Sequence, residues 1–109
     1  MTDRELVRLA AKAAGLDVEC AFIGGDLHIW ASRRLQRLRL WNPLMDDGDA
    51  LRLAVSLGLI VSCDASPCIA VSSERYPSIH IVESAYGGDV QQATRRAIVR
   101  VAAKIGSRM

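Results

Sequence analysis

Residues 41–59 read WNPLMDDGDALRLAVSLGL, a stretch that sets where a helix begins and thereby the layout of the whole chain. Pro43 holds its predecessor Asn42 in an extended conformation, because the proline ring clashes with a helical residue in front of it. Trp41 and Leu44 flank this pair, and we expect them to pack as apolar anchors beside the helix. The stretch therefore predicts an abrupt change from extended chain to helix.

Three aspartates follow within four residues, which raises the question of whether they form a site. Asp46 or Asp47 can accept a hydrogen bond from the first free N–H groups of the helix, and Asp49 can bond back in the manner of a capping box. All three lie where the helix dipole is positive, which stabilises each exposed carboxylate by about 0.3–1 kcal/mol. An EF-hand-type calcium loop needs alternating oxygen ligands and a distant glutamate, which this spacing lacks. We interpret the aspartates as helix initiation and assign no metal ligand and no catalytic residue.

The rest of the chain is interpreted from capping residues and apolar periodicity. Thr2 and Glu5 have the spacing of a capping box, and Gly15 is a suitable helix stop. The predicted elements are a helix over about 2–14, strands over 18–23 and 27–31, a helix over about 47–58, strands over 59–63, 69–74 and 78–83, and a helix from Asp89 to about Ile105. In the middle helix, one face carries Leu51, Ala54, Val55 and Gly58, while Arg52 and Ser56 point elsewhere. The basic segment 32–40 is interpreted as a loop or a strand extension.

This order, αββαβββα, is typical of an α+β fold with a mostly antiparallel sheet of about five strands. A chain of 109 residues has the size of a single domain, 1–109. The longest uncharged apolar run, 53–63, is too short to span a membrane. The N-terminal stretch lacks the apolar core of a signal peptide, so we expect a cytoplasmic protein without membrane contact.

The stretch 41–59, preceded by the N-terminal helix and followed by QQATRRAIVRVAAKIG, resembles the phage ABA-sandwich domain family. The members of this family are small proteins of tailed phages and prophages, and the resemblance covers most of the chain. It implies a three-layer α/β/α sandwich, with helices on both faces of an antiparallel sheet, in the cytoplasm of a bacterial host. It implies no established function, no cofactor and no catalytic residue. Segments 32–40 and 64–77 match no motif of the family.

Basic residues are unevenly placed, because twelve of the fourteen Arg and Lys fall into three clusters. The clusters are Arg4/Arg8/Lys12, Arg33/Arg34/Arg37/Arg39 and Arg95/Arg96/Arg100/Lys104/Arg108. In the last cluster, a basic stripe recurs every four residues along one side of the predicted helix, namely Arg96, Arg100, Lys104 and Arg108. The residues expected to face the sheet are Ala93, Ala97, Val101 and Ile105. The simplest interpretation of the stripe is a solvated face, and the functional alternative is contact with nucleic acid or with an acidic protein.

Histidine and cysteine placement gives no metal site. His28 and His80 lie inside predicted strands without the closely spaced ligand pairs of structural zinc, so neutral, hydrogen-bonded histidines are favoured. Cys20, Cys63 and Cys68 lack C-x-x-C spacing and are predicted to be reduced thiols.

The loop Tyr86-Gly87-Gly88-Asp89 enters a helix N-terminus, a geometry that can hold phosphate. It has no P-loop lysine, and Asp89 would repel an anion, so we interpret it as a loop with an Asp cap.

No nucleophile motif is present, and only a cleft that gathers His28, His80 and a carboxylate would favour an enzyme. The sequence therefore predicts a small, non-enzymatic accessory or regulatory protein that binds a partner, with a nucleic-acid-binding module as the first alternative and an enzyme as the second.

Overall fold

A computed structural model describes the chain over 2–23, 26–32, 39–63, 68–84 and 89–109. These ranges contain α1 (Asp3–Ala14), β1 (Asp17–Ile23), β2 (Asp26–Ser32), β3 (Arg39–Leu40), α2 (Asp47–Leu57), β4 (Leu59–Cys63), β5 (Cys68–Ser73), β6 (His80–Ser84) and α3 (Val90–Ser107). The fold class is α+β, as predicted. β3 is an additional short strand at the end of the basic segment 32–40. The predicted turn at 24–25, residues 33–38 and the loop Tyr86-Gly87-Gly88 lie outside the described residues.

The helix ends follow the capping residues that the sequence indicates. Thr2 Oγ1 accepts a hydrogen bond from the Glu5 N–H at 3.2 Å, and the Glu5 carboxylate accepts one from the Thr2 N–H, which completes the predicted capping box. Gly15 and Gly58 end α1 and α2 with φ of 74° and 63°. This left-handed conformation lets the glycine N–H bond back to the last helical carbonyls, and a β-carbon would strain it. Asp89 caps α3 by accepting from the Gln91 N–H at 2.9 Å.

The strands form two antiparallel sheets, where the sequence predicted one sheet of about five strands. The first sheet has the order β1-β2-β3 and the second the order β4-β5-β6. No described strand of one sheet pairs with a strand of the other. Both sheets are built from consecutive strands, so every pairing is local. Which hairpins join into a common sheet depends on contacts between distant segments, and strand periodicity carries no information about those.

The helices α1 and α3 run parallel and pack at very short distance. Asp3 meets Arg96 near the start of both helices, and Lys12 Nζ donates to the Met109 carbonyl at 3.1 Å near their ends. Between these contacts, the backbone of Leu9 lies against Gly106. Close approach is possible because α3 presents small buried residues, among them Ala97, Ala102 and Ala103.

One face of the second sheet is covered by helix α3. Val61, Val71 and Ile81 pair across the three strands, and Val71 and Ile81 are buried beneath the helices. On the opposite face Ile60 and Val82 are 47% and 53% exposed. Among the described residues, helices therefore lie on one face of this sheet. No described helix forms a second layer on the face that carries Ile60 and Val82.

Helix α2 has a different packing face from the one predicted. Its buried apolar residues are Ala50, Leu53 and Ala54, whereas Leu51 and Val55 are 63% and 72% exposed. The residues that were predicted to share one buried face therefore differ, since Ala54 is buried while Leu51 and Val55 are exposed. The sequence carries apolar residues on two sides of this helix. In the described part of the chain, no helix has the length and apolar character needed to cross a membrane.

Candidate functional site

The stretch around the start of α2 is held by hydrogen bonds within the chain. Asp46 is the N-cap, and its carboxylate accepts from the Asp49 N–H at 2.8 Å. The Asp46 N–H donates to the Asn42 carbonyl at 2.8 Å, and Asn42 Oδ1 accepts from the Leu44 N–H at 3.2 Å. Trp41 is 3% exposed and belongs to the hydrophobic core. Pro43 is also buried, and the partly buried Leu44 packs against the core. The predicted helix initiation and apolar anchoring are confirmed.

Asp49 has a different role from the one its spacing suggested. Its carboxylate, 9% exposed, accepts from the Asn42 N–H at 3.0 Å and from the Arg52 guanidinium at 2.8 Å. It therefore ties the extended segment to the first turn of α2, rather than bonding back to the N-cap. The hydrogen bond from Arg52 to Asp49 in turn raises the pKa of the Arg52 guanidinium above its ordinary value.

Arg95 is a structural residue, although the sequence placed it among the candidate partner contacts. Its Nε donates to the Leu44 carbonyl at 2.9 Å, and its guanidinium pairs with Asp47. The Arg95 side chain is only 14% exposed, so these bonds fasten α3 to the start of α2. The three aspartates are thus all engaged: Asp46 caps, Asp47 holds Arg95, and Asp49 holds Asn42 and Arg52.

The basic stripe is largely occupied by contacts within the chain. Arg96 pairs with Asp3 at 3.4 Å, Arg100 pairs with the half-buried Glu83 of β6, and Arg108 donates to Ser78 Oγ at 2.9 Å. Lys104 is exposed and has no ion-pair partner among the described residues. Two of the four positive charges are therefore compensated by carboxylates. On the other side of α3, Ala97, Val101 and Ile105 are buried and Ala93 is half-buried, as predicted.

A polar cleft of about 420 Å³ lies between the first sheet and the start of α2. It is lined by His28, Leu40, Trp41, Asn42, Asp46, Asp49 and Arg52. His28 stacks on Trp30 with ring centroids 5.9 Å apart. The cleft is lined by one histidine and by the carboxylates of Asp46 and Asp49, and both carboxylates are already hydrogen-bonded within the chain. His80 lies on β6 in the other sheet, so the constellation that would favour an enzyme is not assembled here.

A second, apolar groove separates α2 from the first half of α3. This α2–α3 groove holds about 480 Å³, and its apolar lining consists of Ala50, Leu51, Val61, Cys63, Val90 and Ile98. Among the described residues, the charged ones that line it are Asp47 and Arg95, which neutralise each other. Leu51 and Val90 are 63% and 49% exposed at its rim, and Val55 continues the exposed side of α2 one turn beyond Leu51. An exposed apolar groove of this size is typical of a binding surface.

The sequence interpretation missed the groove for an identifiable reason. Leu51 and Val55 were grouped with the buried Ala54 by helical spacing, so their exposure was not anticipated. The helical pattern does contain a signal, because Ala50, Leu53 and Ala54 form a second apolar face that is sufficient to pack the helix. Two apolar faces on one short helix indicate that one of them has another role.

Cysteines and histidines form no recognisable metal centre in the described ranges, where no group of three or more potential ligands is gathered. Cys63 is an exposed free thiol in the α2–α3 groove. Its strand partner is Ile69, not Cys68. The side chains of Cys20 and Cys68 lie outside what the structure describes.

No family model matches the chain, and no curated protein or solved structure matches it significantly.

Proposed function

We propose that the chain is a non-enzymatic accessory or regulatory protein that contacts a protein partner through the α2–α3 groove. The observation that carries the proposal is the exposure of Leu51 and Val90 at the rim of an apolar groove, where the charges of the described lining residues are paired with each other. Burying such a rim is favourable by about 25 cal/mol per Å² of apolar surface. A partner segment with apolar side chains would meet no unpaired charge from the described lining residues.

The groove supports protein binding better than the basic stripe supports nucleic-acid binding. Nucleic-acid affinity depends on cations that are free to replace counterions at phosphates. Arg96 and Arg100 are paired with carboxylates, so binding phosphate there would require breaking these pairs. Lys104 and Arg108 are exposed and have no carboxylate partner among the described residues, and two charges are a small basis for a nucleic-acid surface.

The proposal includes phage or prophage origin and a location in the cytoplasm of the bacterial host. Both rest on the resemblance of 41–59 and of the final helix to the phage ABA-sandwich domain family. A three-layer sandwich is part of the same proposal. The face of the second sheet that carries Ile60 and Val82 is where another layer would lie, because those side chains are exposed there.

The experiment that tests the proposal compares retention of proteins by immobilised variants. Leu51→Glu adds a charge to the rim of the groove, and Ser56→Glu adds the same charge to the exposed side of α2 outside it. Arg96→Glu with Arg100→Glu reverses the stripe. We expect the Leu51→Glu chain to lose a contact that the Ser56→Glu and stripe variants retain, with little dependence on salt.

Two outcomes would contradict the proposal. One is a contact that depends on the stripe and weakens steeply with salt, which would favour nucleic acid or an acidic surface. The other is a set of retained molecules that is the same for the Leu51→Glu and wild-type chains. Each variant is first compared with the wild type by circular dichroism and denaturant unfolding, so that only folded chains are tested.

A further inference from the structure

The four terminal strands of the two sheets are not equally protected against pairing with another chain. Sheet edges expose unpaired N–H and C=O groups, and proteins usually guard them with charges, prolines or inward-pointing ionic side chains. Charged residues are present in β1 (Asp17 and Glu19), in β3 (Arg39) and in β6 (Glu83). β4, with the sequence LIVSC, has no charged residue and no proline.

The contrast is clearest between β4 and β6, the two edges of the second sheet. Glu83 of β6 is half-buried and paired with Arg100 of α3, which places an ionic side chain at that edge. β4 pairs with β5 on one side, and no described strand pairs with it on the other. β4 adjoins the α2–α3 groove, since Val61 and Cys63 line the groove. An unprotected edge beside an apolar groove is suited to strand addition, in which main-chain bonds give affinity and the groove takes side chains.

We propose that the partner at this surface is a second copy of the chain, joined through β4 to β4 in an antiparallel pair. This inference rests on the proposed function of the α2–α3 groove and names its partner. A two-fold axis through Val61 is the one symmetric register that pairs all five residues of β4. It would join the two three-stranded sheets into one sheet of six strands.

The same symmetry determines the side on which the helices of the two copies lie. A two-fold axis perpendicular to the joined sheet keeps both helical layers on the same side. On that side each copy presents Leu51 and Val55 of α2 as exposed apolar side chains.

Charge also favours a second copy at this surface. Two copies carry the same net charge of +2 and would repel each other where Arg4, Arg8 and Lys104 are exposed. The five residues of β4 are uncharged, and the pair Asp47–Arg95 neutralises the charges that the described residues contribute to the groove. An isologous contact between like-charged chains therefore meets no repulsion from these residues.

Sedimentation of the purified full chain tests the association, with two matched lysine variants. Ile60→Lys and Val82→Lys both replace an exposed residue on the same face of the second sheet, the first at the β4 edge and the second at the β6 edge. We expect a concentration-dependent dimer for the wild-type and Val82→Lys chains, and a monomer for Ile60→Lys. A wild-type chain that stays monomeric at its solubility limit, or a dimer lost equally in both variants, would overturn the proposal.

A disulfide tests the register. Pairing about Val61 places Leu59 opposite Cys63 of the second copy, so Leu59→Cys should form a covalent dimer of twice the 11.9 kDa chain mass on mild oxidation. The control is Ile60→Cys, which faces Ser62 of the second copy and should not cross-link. Both variants also carry Cys20→Ser and Cys68→Ser. Absence of the Leu59→Cys dimer, or equal cross-linking of the control, would contradict the register.

The failures of the two proposals can be distinguished. If the wild-type chain is a monomer but Leu51→Glu still loses a contact that Ser56→Glu retains, the groove binds another protein and the second-copy inference is wrong. If the chain dimerises through another surface and no contact depends on Leu51, both proposals are wrong.

Discussion

Gly106 of α3 lies so close to Leu9 of α1 that a β-carbon on Gly106 would stand 1.9 Å from the Leu9 carbonyl oxygen. The obstacle is backbone, because the Leu9 carbonyl carbon would be 2.8 Å away, and no side-chain rotation can relieve it. The absence of a side chain at this position is therefore what allows the two parallel helices to approach, with Lys12 and Met109 in contact one turn further on.

Gly106→Ala should destabilise the protein although alanine is the better helix former. The gain in helix propensity is about 1 kcal/mol, whereas overpacking a tight contact costs about 1–3 kcal/mol and sometimes more. A contact with immobile backbone belongs at the upper end of that range, so we expect a net loss of at least about 1 kcal/mol. Denaturant unfolding measures it.

Gly48→Ala is the matched control for that prediction. A β-carbon at Gly48 would meet only the ends of the Arg52 and Asp46 side chains, at 3.1 Å and 3.2 Å, and the Arg52 side chain can move. Its free energy of unfolding should stay the same or rise by up to about 1 kcal/mol, the gain in helix propensity. Equal stability of Gly106→Ala and the wild type would show that the helices can separate without cost.

Asp46 should be replaceable by asparagine but not by alanine. The Asp46 carboxylate accepts from the Asp49 N–H, and an asparagine side chain can accept the same bond. We expect Asp46→Ala to lower the free energy of unfolding by about 0.5–2 kcal/mol and Asp46→Asn to be nearly silent. Equal losses in both variants would mean that charge, and not capping, is the main contribution of Asp46.

A specific micromolar affinity for calcium or magnesium that Asp47→Ala abolishes would contradict the structural interpretation of the three aspartates.

Arg95 and Arg96 are adjacent in sequence and should differ in their effect on stability. Arg95→Ala removes the donor to the Leu44 carbonyl and the partner of Asp47, which we expect to cost about 1–3 kcal/mol. Arg96→Ala removes an exposed ion pair with Asp3, for which we expect about 0–1 kcal/mol. Denaturant unfolding of the two variants side by side tests the assignment. The reverse order would return Arg95 to the candidate binding residues.

The features that the sequence predicted well are local ones. The Thr2–Glu5 capping box, the Asp46 and Asp89 caps and the glycine stop at 15 each depend on residues within one helical turn. Hydrogen bonds over so short a span are determined by residue type and spacing, so the starts of the three helices followed from them.

The features that could not be predicted depend on distant contacts. The pair Arg95–Asp47 joins residues 48 positions apart, and it removes Arg95 from the candidate partner contacts. The pair Arg100–Glu83 reduces the charge of the basic stripe in the same way. The exposure of Leu51 was hidden because α2 has two apolar faces, and only the position of α3 determines which one is buried.

The most direct test of the α2–α3 groove as the contact surface is the reactivity of Cys63, a free thiol that lines it. The rate at which N-ethylmaleimide modifies Cys63 is measured by mass spectrometry, in intact cells in which the chain occurs and in dilute purified protein. We predict slow modification in cells, fast modification in dilute protein, and fast modification in cells for the Leu51→Glu variant. Equal rates for the wild-type chain in cells and in dilute solution would contradict the central claim.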